Sequence, residues 1–277
     1  MPPTSPAPEL ATELATAVAG RTDPGAPTLV LLHGLGDSGA CWPDAVRRWS
    51  TSYAVVTVDA LGHGTSPRFT PEQLAAPDPM EQMYAAAEAV VARVAAERGP
   101  VGVVGHSMGG GLAGALAARR PDLVAAVVLE EPAWRDPQLR VQPREVVEQR
   151  IAECRSWASD PEAEMARGRA ENPTWPEAEF EPWGRAKAEV DLDFLELGVA
   201  SLLQPWDEVV AAVRVPALAV TGDGTVLLSP EILRRAADLH NPHLRLEVVA
   251  GAGHCVRRDR ADAFHTVVDP WLAEHLR

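Results

Sequence analysis

From Thr28 onward, short runs of β-branched and aliphatic residues recur and end in Gly-rich turns: TLVLLHG (28–34), YAVVTVDALGHG (53–64), VGVVGHSMGG (101–110), VAAVVLEEP (124–132), PALAVTGDG (216–224) and LRLEVVAGAGH (244–254). Runs that stay apolar without polar alternation predict strands buried on both faces, as in a parallel sheet. The stretches between them carry helical spacing. In 79–98, Met80, Met83, Ala87, Val90 or Val91, and Val94 recur every three to four residues; 108–119 is rich in Gly, Ala and Leu; 230–239 opens with Pro230, favourable in a first helical turn. Repeated alternation of strand and helix predicts an α/β fold, a doubly wound, mostly parallel sheet with right-handed crossovers.

Two segments depart from this rhythm. Residues 1–27 contain Pro2, Pro3, Pro6, Pro8, Pro24 and Pro27, so a partly flexible lead is expected, with at most a short strand or helix around Leu10 to Ala19. Residues 132–206 hold Trp134, Trp157, Trp175, Trp183 and Trp206, five of the eight tryptophans, with eight of the 25 prolines and no good strand run. This predicts a helical cap inserted between two strands, dividing the chain into a core of 1–131 and 207–277 and a cap of 132–206.

Composition narrows the function. The chain has 277 residues, long enough for one large core, and carries 25 Lys+Arg against 39 Asp+Glu for a net charge of −14. That balance argues against nucleic acid, whose phosphates demand clustered cations. No apolar run approaches the roughly 20 residues that span a bilayer, and the start, MPPTSPAPEL, has neither a basic nor an apolar leader region. Cys41, Cys154 and Cys255 lie far apart, without the spacing of a zinc or redox site. The expectation is a cytoplasmic protein acting on a small molecule, without membrane or nucleic-acid partner; homo-oligomerisation is left open. The 132–206 segment has nine basic and 15 acidic residues, and such an acidic lid suggests a neutral, largely apolar guest.

The sharpest chemical signal is Gly105-His106-Ser107-Met108-Gly109-Gly110, which follows the strand Val101 to Val104 and precedes the helical run Leu112 to Arg119. A G-x-S-x-G elbow needs this strand, turn and helix: the serine sits on strained backbone, and Gly105 and Gly109 must lack side chains for strand and helix to approach. At the start of a helix, free N–H groups and the positive dipole end favour an oxyanion. A second element, His33-Gly34-Leu35-Gly36-Asp37, ends the first clear strand. Alone it is a common Gly-rich strand end; paired with GHSMGG about 70 residues later it is specific. The N–H groups of Leu35 and Met108 would then form an oxyanion hole, with Gly34 against the substrate.

The motifs HGLGD (33–37), DALGHGTS (59–66), GHSMGGG (105–111) and GAGHCVRRD (251–259) resemble the α/β-hydrolase superfamily from about Thr28 to the C-terminus. The resemblance implies an eight-stranded, mostly parallel sheet, a cap after the sixth strand, and a triad in chain order nucleophile, acid, histidine. Ser107 is the implied nucleophile. His254, in the turn Gly251-Ala252-Gly253-His254 after the last strand, is the implied base; His106 is held by the elbow, His63 lies in a Gly turn, and His240, His243, His265 and His275 read as surface or helix-end residues.

The acid has three candidates. The superfamily most often places an Asp three residues beyond the Gly that ends the seventh strand, but here Thr225 stands there, with Asp223 nearby as an ordinary turn residue. Some members, including certain haloalkane dehalogenases and the fungal zearalenone lactonase, carry a glutamate after the sixth strand. That strand here runs into Glu130-Glu131-Pro132, and Glu131 is the favoured acid, with Asp223 and then Glu130 behind it.

Asp59 and the turn Gly62 to Ser66 read as scaffold, Cys255 as a packed side chain. Among the cap tryptophans, Trp134 and Trp183 are the first to consider against substrate, although each equally reads as a pin between cap and sheet. The expected activity is cofactor- and metal-independent hydrolysis of a carboxylic ester or lactone through an acyl-enzyme. A C–C bond hydrolase or a perhydrolase would use the same triad, and a catalytically silent ligand-binding protein would keep only the fold.

Overall fold

All six apolar runs become strands in the computed structural model, which describes residues 13–276. In chain order the strands are β1 (Thr16–Gly20), β2 (Thr28–Leu32), β3 (Ala54–Val58), β4 (Val101–His106), β5 (Val124–Glu130), β6 (Ala217–Gly222) and β7 (Leu244–Val249). They form one sheet in the order β1-β3-β2-β4-β5-β6-β7. Only β1 runs antiparallel, against β3; the remaining pairs are parallel. Every residue of β2, β3, β4 and β6 is buried, while the edge strands β1 and β7 are largely half-buried or exposed. This is the burial that continuous Val/Leu/Ala runs require when helices cover both faces.

The described residues thus contain seven strands rather than the implied eight, and the strand ending at Glu130 is the fifth of them. Of the segment expected around Leu10 to Ala19, β1 supplies the second half; residues 10–12 lie outside the described range.

The helical expectations hold closely. Pro79–Arg98 is one helix, started by the Asp78 carboxylate accepting from Met80 N–H at 3.2 Å, and it buries Met80, Met83, Ala87, Val90, Val91 and Val94. Met108–Arg119 is another, nearly all of it buried, and Pro230–Asp238 a third, capped by Ser229. Between β5 and β6 the chain is helical, with helices at Arg144–Ser159, Pro161–Glu171, Phe180–Ala188, Leu192–Glu196 and Trp206–Ala212. This segment has a small apolar cluster of its own, Val147, Ile151, Cys154, Val190 and Leu195. Among the described residues no helix is long and apolar enough to cross a membrane.

Chain order places the site. From the central β2 the chain steps outward to β3, then returns to the other side of β2 as β4, making a topological switch point between β2 and β4. Ligands of open α/β sheets bind in the crevice at such a point, beyond the carboxyl ends of the strands. Here those ends carry His33-Gly34 after β2 and Ser107 after β4.

Candidate active site

Ser107 joins β4 to the helix Met108–Arg119 with φ 53° and ψ −113°, an unfavourable backbone for any residue but glycine. Its surroundings hold it there: Ser107 N–H donates to Glu130 O at 2.9 Å, and Ser107 O accepts from Gly111 and Ala133 N–H at 3.0 and 2.8 Å. The turn needs its glycines. A Cβ on Gly105 would lie 2.2 Å from Gly109 O, and one on Gly109 would lie 2.2 Å from Leu32 O, so neither position has room for a side chain.

Three side chains converge from three elements. Ser107 Oγ–H donates to His254 Nε2 at 3.0 Å, and His254 Nδ1–H donates to Glu131 Oε2 at 3.2 Å. Glu131 follows β5 directly, itself at a positive φ of 46°, and is wholly buried. Burial of a carboxylate demands partners. Besides His254, Oε2 accepts from Leu227 N–H at 2.6 Å and Oε1 accepts from the Thr221 hydroxyl of neighbouring β6. The set leaves His254 Nε2 free of hydrogen and facing the serine, the tautomer a general base requires.

The rival carboxylates are engaged elsewhere. Asp223 is exposed and its Oδ1 accepts from Gly251 N–H at 2.7 Å, so it braces the turn that leads to His254. Glu130 is as buried as Glu131 but accepts from Arg257 Nη1 and Arg257 N–H, both at 2.8 Å. Arg257 in turn lies over the Trp42 ring at 3.9 Å.

His106 fixes the loop that carries His254. Its Nε2–H donates to His254 O at 3.0 Å, and burial holds its pKa well below 6.5, with the nearby Arg257 charge adding to the effect. On the other side, Gly109 N–H donates to His33 O at 3.1 Å, which ties the HGLGD loop to the elbow. A Cβ on Gly34 would come within 2.9 Å of His106 Nδ1 and 3.3 Å of Ser107 Cβ, so Gly34 keeps the approach to the serine open. Leu35 N–H and Met108 N–H, the latter in the first helical turn where no intrahelical acceptor exists, have no partner among the described residues.

A cavity of about 350 Å³ lies over Ser107 and His254, lined also by Gly34, Leu35, Leu227 and Trp183. Its charged lining goes beyond what an apolar guest suggests: Asp37, Arg135, Arg150, Glu153, Lys187 and Arg258 all face it. Asp37 accepts from Arg258 Nη2 at 3.0 Å and from Lys187 Nζ at 3.4 Å. Burial pushes its pKa upward, but the charges of Arg258 and Lys187 outweigh this and hold the group far below the usual carboxylate range. Arg258, almost entirely buried, also donates to Glu179 Oε2 at 2.9 Å and so links the HGLGD loop to the segment between β5 and β6.

The two tryptophans separate. Trp183 lines the cavity, meeting Trp157 and Trp175 edge-on at 5.2 and 5.3 Å. Trp134 does not line it: the ring is buried and stacks on Trp206 at 5.1 Å with an 11° interplanar angle. Of the two readings open for Trp134, this packing against the helix Trp206–Ala212 favours the pin over the substrate contact. Asp59 is scaffold as expected, accepting from Gly39 N–H at 2.7 Å and Thr65 N–H at 2.9 Å. Desolvation pushes the Cys255 thiol up to about 11, consistent with a packed side chain.

Sequence reasoning missed the cavity arginines. The segment 132–206 offers nine cations, and nothing in their spacing says which of them a distant carboxylate will take.

Residues 29–267 match the profile of the Alpha/beta hydrolase family. The chain is 37% identical over 163 residues to a protein named Lipase LipV of Mycobacterium tuberculosis, an alignment covering 58% of this chain and 56% of the lipase. It therefore spans about half the length of that relative. Among solved structures, the enol-lactonase from Burkholderia xenovorans LB400 superposes with a TM-score of 0.69 at 25% identity, covering 95% of this chain and 98% of that one. A putative aryl esterase from Burkholderia cenocepacia gives 0.72 at 22% identity, over 95% and 94%.

Proposed function

The chain belongs to the alpha/beta hydrolase family, and from that premise we propose that it is a serine hydrolase of a carboxylic ester or lactone. The observation that carries the reading is the unbroken relay Ser107 Oγ to His254 to Glu131, built around a serine in strained backbone. Lipase, esterase and lactonase names among the relatives and neighbours support the same chemistry.

On this reading Ser107 Oγ attacks the substrate carbonyl carbon while His254 Nε2 takes its proton. Glu131 holds the Nδ1–H tautomer and offsets the charge of the imidazolium. The carbonyl oxygen, now negative, accepts from the N–H groups of Leu35 and Met108. The tetrahedral intermediate collapses, the C–O bond to the alcohol breaks, and His254 returns the proton to the leaving oxygen. In a lactone that oxygen stays tethered to the acyl chain. Water, deprotonated by the same histidine, then cleaves the acyl-enzyme and restores Ser107. No residue in these steps needs a cofactor.

We further take 132–206 as the cap, since it contributes Trp183, Lys187 and Arg150 to the cavity. The free thiols of Cys41, Cys154 and Cys255 support a reducing, cytoplasmic setting.

A fluorophosphonate probe tests the reading directly. It should label wild type at Ser107 and leave Ser107→Ala unlabelled, and wild type should turn over a short nitrophenyl ester or a lactone. A protein that neither reacts with the probe nor cleaves any ester or lactone is a silent binder; cleavage of a vinylogous diketone in their place assigns it to C–C bond hydrolysis.

A further inference from the structure

The chain has 14 more acidic than basic groups, so a cation without a carboxylate partner is unexpected, above all inside a cavity. Of the nine cations in 132–206, Arg140, Arg144, Arg167, Arg169, Arg185 and Lys187 each form an ion pair. Among the described residues, Arg135, Arg150 and Arg155 do not. Arg155 is exposed and solvated, whereas Arg135 and Arg150 are half-buried and line the cavity that holds Ser107.

The Arg135 guanidinium has no hydrogen-bond acceptor among the described residues, and Arg150 has one neutral acceptor, Gln142 Oε1 at 2.7 Å. The other cations of the cavity are already answered, Lys187 by Asp37 and Arg258 by Asp37 and Glu179. Glu153 also lines the cavity, but it pairs with neither arginine and accepts instead from the Gln149 amide at 3.3 Å. Burial lowers the pKa of both guanidinium groups; at Arg150 the charge of nearby Glu153 offsets part of this, and Arg135 adds to it. Two desolvated, mutually repelling cations cost stability unless something anionic joins them. Their planar forks suit a carboxylate held by two donors.

Resting on the hydrolase reading above, we propose that Arg135 and Arg150 form a carboxylate-binding subsite, so that the ester or lactone presented to Ser107 carries a free carboxylate. The substrate class is then the half-ester of a dicarboxylic acid, or a lactone bearing a carboxylate side arm. With Glu153 present, the two arginines leave a surplus of one positive charge, which matches a single carboxylate. A cavity of about 350 Å³ lies at the small end of ligand sites and suits a compact molecule. The neutral, apolar guest suggested by the overall acidity gives way to an anionic one, because local charge at the cavity has the opposite sign to the chain as a whole.

The test compares kcat/KM for 4-nitrophenyl hydrogen glutarate, which ends in a carboxylate, with that for the neutral 4-nitrophenyl pentanoate. Wild type should favour the carboxylated ester by about tenfold or more, and Arg135→Met and Arg150→Met should each cut that ratio by about tenfold or more, the range of a charge-assisted hydrogen bond. Arg155→Met should leave the ratio unchanged. Equal preference in wild type and the two cavity variants overturns the proposal. A second arm needs no catalysis: glutarate should raise the melting temperature of Ser107→Ala, and adding Arg135→Met or Arg150→Met should abolish the rise. If the fluorophosphonate fails to label Ser107 and both esters are inert, the hydrolase reading falls. Stabilisation of Ser107→Ala by glutarate would still uphold the anion subsite; stabilisation by inorganic phosphate alone, or by neither, would refute it.

Discussion

Glu130 and Glu131 stand side by side at the end of β5, both sealed from solvent, yet they answer to different partners: Glu130 to Arg257 at 2.8 Å and Glu131 to His254 at 3.2 Å. Neighbouring residues at a strand end point to different sides of the sheet. One carboxylate is thereby used to hold the structure together and the other is available to the proposed chemistry.

The first consequence concerns activity. Glu131→Gln keeps the shape but removes the charge, and an amide NH2 at the Oε2 position gives up the Leu227 N–H contact and turns His254 to the wrong tautomer. We expect kcat to fall by about 10³- to 10⁴-fold with the fold intact by circular dichroism, the loss seen when a triad carboxylate becomes an amide. Asp223→Asn, altering only a turn brace, should remain within a few-fold of wild type. The reverse pattern would move the acid to Asp223.

Glu130 predicts a stability effect. Glu130→Ala leaves the buried Arg257 guanidinium with only Asp37, 4.0 Å away and shared with Arg258, as counter-charge, which should cost about 3–5 kcal/mol in urea unfolding. Replacing both partners, Glu130→Leu with Arg257→Met, should recover much of that loss because no unpaired charge remains. A Glu130→Ala protein of unchanged stability would mean that Arg257 finds another acceptor.

How much of this was legible beforehand differs by residue. Ser107 stood out because the elbow is local: strand, glycines and helix all lie within the 19 residues from Val101 to Arg119 and need each other sterically. His254 followed from its place after the last strand. Glu131 came from resemblance, since no periodicity distinguishes it from Glu130; only the register that sets Glu130 beside Val220 of β6 brings Glu131 under Thr221 and Leu227. The cavity arginines were hidden because ion pairing here is non-local. Arg140 takes Asp78 from 62 residues away and Arg258 takes Asp37 from 221. Without those pairings, Arg135 and Arg150 look like any other arginine of 132–206. Trp134 could not be told apart from Trp183 for the same reason, its partner Trp206 being 72 positions along the chain.

Stability should fall with acid from near neutrality. His63 is buried and its pKa is pushed down to about 3, mainly by desolvation and then by the neighbouring His33 ring 5.1 Å away. His33 and His106 are lowered for the same first reason. A histidine lowered in the folded state binds its proton more readily when unfolded, so unfolding takes up protons once the pH drops below the unfolded value of about 6.5. For His63 that window runs from 6.5 to about 3, and within it the loss approaches about 1.4 kcal/mol per pH unit. Urea midpoints at pH 7.5, 6.0 and 5.0 should decline progressively, and His63→Gln should flatten the dependence. Equal midpoints at all three pH values would contradict neutral burial of these rings.

The two tryptophans near the site should behave oppositely. Trp134 is stacked on Trp206 beneath the segment that follows Glu131 and does not line the cavity. Trp134→Ala removes a buried aromatic and should cost about 3–5 kcal/mol of stability, while KM of the folded fraction changes little. Trp183 lines the cavity and carries Lys187 Nζ 5.3 Å from its ring centre. Trp183→Ala should raise KM for the carboxylated and the neutral ester alike, since the ring offers both an apolar wall and no charge of its own. Thermal unfolding of both variants beside their KM values separates the two roles. A Trp134→Ala protein with raised KM and undiminished stability would return that ring to the substrate side.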